Sequence, residues 1–254
     1  MADAASRFFI RLMIRFLRGA ISVMFFGIFA VGAILMSPFM FLLGSPRFCQ
    51  PLVRAIWRPY LKCWDLAGEV GVRYDGSREV KGSVLVANHP SLIDVVIMVS
   101  LFPKTLYVAK HSLLKDFFLS GIVRFTSLPD DERLPEAAGP YLRDGWNVLV
   151  FPEGSRTPMG PSSRTPVSEV EMRPFHRGAA QVALRNGVPL VPFGISLTRR
   201  VVAKGQKAWD LGTEKVFYTI RRGAEIPVAM GSGVLRSEAM ALTDRIRKEI
   251  KGLL

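Results

Sequence analysis

The sequence predicts an α/β fold, with a mixed, mostly parallel sheet flanked by helices and an N-terminal membrane-anchoring helical element. Short apolar runs rich in β-branched residues alternate with helical patterns over residues 66–254, as in sheets covered by helices on both faces. A proline corner at Pro90 and a glycine turn at Gly154 follow two of these runs. Ahead of them, residues 19–46 carry no charged side chain, and that run is long enough to cross a bilayer core.

The N-terminal element is predicted over residues 1–65. Four arginines precede the uncharged run at three- and four-residue spacing: Arg7, Arg11, Arg15 and Arg18. Such a basic amphipathic helix suits anionic lipid headgroups. Basic residues also follow the run, and the positive-inside rule favours keeping both flanks in the cytoplasm. A re-entrant hairpin that turns near Gly32 or Pro38 satisfies this rule. A single span is the alternative, and a helix buried in a soluble core is disfavoured because the run is apolar all round.

One globular domain is predicted over residues 66–254. The apolar runs predicted as strands are 70–74, 83–87, 106–109, 147–151, 190–196 and 216–220. The patterns predicted as helices are 91–101, 135–144, 178–186 and 238–253. Residues 113–122 are predicted as a helix lying against lipid, and residues 158–174 as a long loop. Both main motifs then follow strand ends, where α/β sheets place their ligands.

The chain carries a formal net charge of +13, which indicates an anionic partner such as a membrane surface, a nucleic acid or a phosphorylated substrate. Aromatic residues cluster in the N-terminal segment instead of alternating with basic residues, which disfavours a nucleic-acid-binding module. The two cysteines, Cys49 and Cys63, have neither metal-ligand nor redox spacing, so they are predicted as free thiols. Because His and Cys residues are few and unclustered, no metal site is predicted.

Two motifs contain the candidate chemistry. Residues 88–94 read Asn-His-Pro-Ser-Leu-Ile-Asp and residues 151–156 read Phe-Pro-Glu-Gly-Ser-Arg. A histidine near a carboxylate, here His89 and Asp94, is the minimal set for removing a proton from a hydroxyl. A glycine turn beside a guanidinium, here that of Arg156, can hold an anionic headgroup. Gly-x-Ser-x-Gly is absent from the chain, which favours direct transfer over a covalent serine intermediate.

Together with residues 175–179 (Phe-His-Arg-Gly-Ala) and 188–192 (Val-Pro-Leu-Val-Pro), these motifs make the sequence resemble the glycerolipid acyltransferase family, of the 1-acylglycerol-3-phosphate or lysophospholipid acyltransferase type. The resemblance covers roughly residues 68–225 and implies an acyltransferase domain over residues 66–254. It also implies transfer of a fatty acyl group from a thioester to the hydroxyl of a lysophospholipid such as 1-acylglycerol-3-phosphate.

The resemblance implies two groups of site residues. His89 is the general base, and Asp94 holds its tautomer and stabilises the imidazolium. The expected substrate-binding residues are Glu153, Gly154, Ser155, Arg156, Lys110 and Arg177. His176 is expected to be incidental.

The segment between the two main motifs departs from the family. The family usually has an arginine in a Gly-x-Ile-x-Ile-Asp-Arg-like stretch, whereas residues 121–133 match it poorly and carry Asp130, Asp131 and Glu132. Arg124 or Arg133 is a candidate replacement. One alternative is therefore the same chemistry on another lipid-like acceptor, in specialised lipid or pigment synthesis. A non-catalytic lipid-binding protein is another alternative, although such a protein has no need of His89 and Asp94.

The expected co-substrate is acyl-CoA or an acyl carrier protein, and no cofactor is expected. The expected partners are membrane lipids, the acyl donor and the lysophospholipid acceptor, without nucleic acid. A basic surface suits an acidic carrier protein and an anionic membrane equally well. The expected location is the bacterial inner (cytoplasmic) membrane, with the catalytic domain facing the cytoplasm.

Overall fold

The computed structural model describes residues 2–115, 120–206, 214–230 and 236–254. Its helices are α1 (Ala2–Leu43), α2 (Pro46–Leu66), α3 (Asp94–Leu101), α4 (Ser120–Thr126), α5 (Leu134–Arg143), α6 (Gly178–Asn186) and α7 (Arg236–Leu253). Its strands are β1 (Val70–Asp75), β2 (Val84–Ala87), β3 (Thr105–Ala109), β4 (Ser127–Pro129), β5 (Asn147–Val150), β6 (Leu190–Leu197) and β7 (Val216–Arg222).

The strands form one seven-stranded sheet in the order β1-β7-β6-β2-β5-β3-β4. Strands β2 to β6 run parallel to one another, β7 is antiparallel to β6, and β1 is parallel to β7. The predicted fold class is therefore confirmed. The carboxyl ends of β2, β3, β4 and β5 meet at one edge of the sheet, and the loops that leave this edge contain both main motifs.

The two faces of the sheet carry separate apolar cores. Because side chains alternate along a strand, Val84 and Val86 of β2 pack with α5, α6 and α7, whereas Leu85 and Ala87 pack with helices α1 to α4. The strands are buried on both faces, as in parallel sheets covered by helices. Strand β4 was not predicted, since three residues are too few to show a period.

Helices α1 and α2 form an antiparallel helical hairpin. The Tyr60 hydroxyl donates to the Phe25 carbonyl at 3.0 Å, and the Phe25 and Trp64 rings stack with centroids 5.6 Å apart. Near the sheet, Arg18 pairs with buried Glu69 at 3.0 Å. One face of α1 is therefore part of the protein core, while residues such as Phe16 and Leu42 stay exposed.

The prediction that this hairpin turns near Gly32 or Pro38 was wrong. Helix α1 continues through Pro38 to Leu43, and the turn lies at Gly44, where φ is +60°. Ser45 then caps α2 by accepting the Arg47 N–H at 3.3 Å. Tertiary packing supports α1 beside Pro38, because α4 lies against it. A Cβ on Gly121 would lie 2.0 Å from Ser37 Oγ, so glycine is needed for this close approach.

By length and composition alone, one helix within the described residues is suited to cross a membrane: Phe8–Leu43 of α1. The side chains of Arg7, Arg11 and Arg15, which belong to the predicted basic face, lie outside the described residues. The same holds for the middle of the lipid-facing helix predicted over 113–122. Its described flanks are a 3-10 turn, His111–Lys115, and the start of α4.

Candidate active site

A cavity of about 330 Å³ opens at the carboxyl edge of the sheet. His89 follows β2, Lys110 follows β3, Asp130 follows β4, and the Phe-Pro-Glu-Gly-Ser-Arg motif follows β5; side chains from all four loops line the cavity. Parallel strands bring these residues together because their carboxyl ends lie at the same edge. Among the described residues, the cavity therefore combines two imidazoles, two cations and one carboxylate within reach of a bound ligand.

His89, in the loop after β2, forms a hydrogen-bonded pair with Asp94, the first residue of α3. His89 Nδ1 lies 3.0 Å from Asp94 Oδ2, and the same oxygen accepts the Ser91 N–H at 2.7 Å. This turn explains why α3 begins at Asp94 and not at Ser91 as predicted. Because the ionised carboxylate only accepts hydrogen bonds, Nδ1 carries the proton and Nε2 keeps its lone pair.

Further contacts hold both the ring and the backbone of His89 in place. Its ring stacks on Phe151, with centroids 4.4 Å apart and planes 27° apart. Its backbone carbonyl accepts the Thr157 N–H at 2.7 Å, and its backbone N–H donates to Glu153 Oε1 at 3.2 Å. Hydrogen bonds therefore join the two motifs at His89, which also lines the cavity.

Asp94 is fully buried. Burial raises the pKa of its carboxyl group, while His89, the Ser91 N–H and Arg200 act in the opposite direction. Oδ1 has no hydrogen-bond partner among the described residues. Ser91 is itself held by the Tyr218 hydroxyl, which donates to Ser91 Oγ at 2.8 Å. The carboxylate is thus held in place by buried groups from several elements and has little contact with solvent.

Asn88 joins the end of β2 to β6 through its side chain. Its Nδ2 donates to the Ile195 carbonyl at 2.9 Å, and its Oδ1 accepts the Ile195 N–H at 2.7 Å. The side chain thus satisfies both polar groups of one peptide position on β6, which are buried and need partners. This contact fixes the point at which the chain leaves the sheet toward His89.

Glu153 stabilises the second motif through hydrogen bonds made by its buried carboxylate. Its carboxylate accepts the backbone N–H groups of His89 and Arg173, and the Thr157 hydroxyl. It is buried, and it is not among the described residues that line the cavity. The structure therefore places this predicted substrate-binding residue behind the cavity, where it joins three chain segments.

Gly154 does line the cavity, at a position that requires glycine. Its φ is +60°, and a Cβ there would lie 3.0 Å from the His176 ring. His176 lines the same cavity, although the sequence analysis expected it to be incidental. Its position in the chain gave no signal, because β5 and α6 come together only in the folded protein.

The predicted anion-binding residues divide into two groups. Lys110, Ser155 and Arg156 line the cavity, and Arg156 also donates to the Val202 carbonyl at 2.8 Å. Arg177 is not among the described residues that line it. It immediately precedes α6, where its own carbonyl accepts the Gln181 N–H.

Neither candidate replacement for the family's missing arginine lies at the cavity in the described part of the chain. The Arg124 guanidinium lies over the Phe41 ring, 5.7 Å from its centroid, and Arg133 precedes α5 as an exposed residue. Strand β4 instead directs the chain so that Asp130 lines the cavity. The departure seen in the sequence thus places a carboxylate at the cavity wall.

A second cavity, of about 150 Å³, lies between the sheet and helices α1 to α4. Its described lining is almost entirely apolar and includes Phe29, Trp57 and Val123. Four residues line both cavities: Leu92, Val95, Tyr107 and Leu113. The apolar cavity therefore adjoins the polar one beside His89.

The chain is similar to known proteins in sequence and in fold. A model of the family described as Acyltransferase matches residues 71–196. Human 1-acyl-sn-glycerol-3-phosphate acyltransferase alpha is 27% identical over 174 residues, which are 65% of this chain and 56% of that protein. The Saccharomyces cerevisiae 1-acyl-sn-glycerol-3-phosphate acyltransferase is 30% identical over 142 residues, which are 52% of this chain and 44% of that protein.

A solved structure shares the fold over almost the whole chain. The 1-acyl-sn-glycerophosphate acyltransferase PlsC from Thermotoga maritima superposes with a TM-score of 0.66 at 22% identity, covering 94% of this chain and 96% of that one. The protein belongs to the glycerolipid acyltransferase family. Its matches to the curated relatives named above span only about half of their length.

Proposed function

We propose that the protein is a membrane-associated O-acyltransferase that transfers a fatty acyl group from a thioester to the hydroxyl of a lysophospholipid such as 1-acylglycerol-3-phosphate. The observation that carries this proposal is the imidazole of His89 at the cavity, with Nδ1 held 3.0 Å from buried Asp94. Membership of the acyltransferase family supports the class of reaction.

In the proposed reaction, Nε2 of His89 accepts the proton of the acceptor hydroxyl as its oxygen attacks the thioester carbonyl. The new carbon–oxygen bond forms, the tetrahedral intermediate collapses, and the carbon–sulfur bond breaks. The departing thiolate takes the proton back from the imidazolium, so His89 returns to its starting state. Asp94 stabilises the imidazolium while it exists. The thioester is a co-substrate, and the scheme needs no resident cofactor.

The cations of the polar cavity suit a phosphorylated headgroup. Arg156 offers a forked guanidinium and Lys110 a point charge. Asp130 repels a phosphate at the same wall, and a carboxylate instead accepts hydrogen bonds from hydroxyl or ammonium groups. This residue favours a second candidate function, which is the same transfer to an acceptor whose headgroup carries such a donor.

The apolar cavity suits the acyl chain of the donor. It adjoins His89 through shared lining residues, so a chain lying in it keeps its thioester beside the imidazole. Burial of methylene groups there stabilises the complex by about 0.8 kcal/mol each. The donor carrier is proposed to be coenzyme A or acyl carrier protein.

Changing the size of Val123 is expected to change the donor chain length. Val123→Phe fills part of the apolar cavity and shifts the kcat/KM optimum to shorter acyl chains, whereas Val123→Ala enlarges it and shifts the optimum to longer chains. Each methylene group excluded or admitted corresponds to about a fourfold change in kcat/KM. Competition assays with a series of saturated acyl thioesters measure this. The same optimum in both variants would place the acyl chain elsewhere.

The proposed location is the inner membrane of a bacterium, with the catalytic domain on the cytoplasmic side. Exposed apolar residues of α1 support membrane attachment, since a large exposed apolar surface is uncommon in soluble proteins. The hairpin of α1 and α2 returns the chain to the sheet, as a monotopic anchor requires.

A panel of acceptors tests the proposed function. Purified protein in detergent is incubated with labelled acyl-CoA or acyl carrier protein and with lysophosphatidic acid, other lysophospholipids or neutral lipid alcohols. Product from lysophosphatidic acid supports the first candidate acceptor. Product only from acceptors with a hydroxyl or ammonium headgroup supports the second. No product from any pair would overturn the enzymatic proposal and favour a lipid-binding protein.

A further inference from the structure

Arg200 is a buried arginine with 1% of its surface exposed, in the segment that follows β6. Its guanidinium connects the two motif loops. Nη1 donates to the Pro90 carbonyl and Nη2 to the Pro158 carbonyl, each at 3.0 Å. Pro90 directly follows His89, and Pro158 directly follows Thr157, which is bonded to His89 and Glu153. One side chain therefore holds both loops at the points where they meet.

The segment around Arg200 is itself firmly attached. The Arg200 N–H donates to the Ser163 carbonyl at 2.6 Å, and its carbonyl accepts Nε2 of Gln206 at 3.1 Å. Two residues later, Val202 has a φ of +50°, which is rare and costly for a β-branched residue. Its carbonyl accepts Nη1 of Arg156 at 2.8 Å and the Leu92 N–H at 3.4 Å. The strained backbone thus adds a second connection between the same two loops.

Charged and titratable groups face Arg200 from three elements. They are Asp94 at the start of α3, which is hydrogen-bonded to His89, Glu153 from the loop after β5, and Tyr218 from β7. Burial lowers the pKa of the Arg200 guanidinium, and the two carboxylates and Tyr218 oppose this effect. An arginine remains charged in such a site. Arg200 is therefore a fixed positive charge near the buried carboxylate of Asp94.

We propose that Arg200 is a positioning residue for the pair of His89 and Asp94, which it holds in register with the Phe-Pro-Glu-Gly-Ser-Arg loop. The catalytic part of this inference rests on the proposed acyl transfer. Arg200 acts through Pro90, Pro158 and Asp94, since it is not among the described residues lining the cavity. The position of Arg200 in the chain gave no sign of this role, because Pro90 is 110 residues away.

Removing the charge of Arg200 affects the ionisation of Asp94. Without the guanidinium, ionised Asp94 is less stabilised, so its pKa rises. Since the reaction needs neutral His89 beside ionised Asp94, the acid limb of the pH profile of kcat/KM shifts to higher pH.

Two substitutions separate the charge from the bridging geometry. Arg200→Gln removes the charge, and we expect it to raise the pKa of Asp94 and to lower kcat by about 10- to 100-fold. Arg200→Lys keeps the charge, but a single ammonium replaces the fork that binds both carbonyls. We expect Arg200→Lys to lower kcat while leaving the acid limb in place. Arg185→Gln, which removes an exposed arginine paired with Glu136, is the matched control.

The pKa of Asp94 is measured by NMR on protein with labelled aspartate, and the spectrum of Asp94→Asn assigns the signal. This readout needs no turnover. A raised pKa in Arg200→Gln supports the positioning role even if the wild type transfers no acyl group, in which case the proposed function alone fails. The positioning role would be overturned if Arg200→Gln had the same pKa of Asp94 and the same kcat as the control Arg185→Gln.

Circular dichroism establishes whether each variant is folded. If Arg200→Gln does not fold, Arg200→Lys provides the test of the positioning role. A reduced kcat with an unchanged acid limb supports the inference, and wild-type kcat in that variant overturns it.

Discussion

His89→Ala is expected to lower kcat by about 10²- to 10⁴-fold. The His89 imidazole lines the cavity, and its Nδ1 is paired with Asp94. It is therefore the group assigned to accept the proton of the acceptor hydroxyl. Alanine keeps the backbone contacts of residue 89 with Glu153 and Thr157, which involve only its N–H and carbonyl groups. The fold is therefore retained, and the loss appears in kcat more than in KM. Steady-state rates with the acceptor found in the panel measure it.

His111→Ala is the matched control, because His111 is exposed and is not among the described residues lining the cavity. It removes the same side chain from the same edge of the sheet and is expected to keep wild-type kcat within about twofold. Comparable losses in both variants, or turnover of His89→Ala near the wild-type rate, would contradict the role of His89 as general base.

Asp94→Asn is expected to lower kcat by about 10²- to 10⁴-fold as well, without unfolding the protein. Asparagine has nearly the same shape, and its amide oxygen can still accept the Ser91 N–H. It has no charge to stabilise the imidazolium that forms when His89 accepts the proton. Single-turnover rates separate this chemical defect from binding. Wild-type kcat in Asp94→Asn would show that the carboxylate has no part in the reaction.

The effect of Asp94→Asn on the free energy of unfolding is expected to depend on pH. Burial raises the folded-state pKa of Asp94 above its usual 3.8, so between these two pKa values the folded protein binds more protons than the unfolded chain. The free energy of unfolding of the wild type therefore falls as pH rises through this window. Asparagine does not titrate, so the stability of the variant relative to the wild type should increase as pH rises.

Unfolding in denaturant at several pH values between about 3.5 and 8 measures this difference. Glu136→Gln, which changes an exposed carboxylate paired with Arg185, is the control and should show little pH-dependent difference. A relative stability of Asp94→Asn that falls with rising pH would mean that interactions with His89 and Arg200 outweigh the cost of burying the charge.

The sequence predicts the elements of the sheet well where local signals are strong. Strands β2 and β5 are short β-branched runs bounded by turn residues, and α6 has both helical periodicity and Gly187 just after its end, at a φ of +60°. Strand β4 was missed because three residues are too few to show a period, and the position of the hairpin turn was missed because it depends on tertiary packing. Helix α1 passes Pro38 and packs closely on Gly121, a contact between distant parts of the chain that no local pattern contains.

The residues of the candidate site likewise fall into two groups, those that local motifs predict and those that only the fold brings to the site. Spacing and residue type alone indicated His89 with Asp94 and the glycine turn with Arg156, because each set lies within one short motif whose chemistry depends on neighbours in the chain. The fold decides that Glu153 lies behind the cavity and that Asp130 and His176 line it. So is Arg200, whose contacts reach Pro90 across 110 residues. Local chemistry follows from the order of residues, but a buried charge or a cavity wall exists only when packing brings separate strands and loops together.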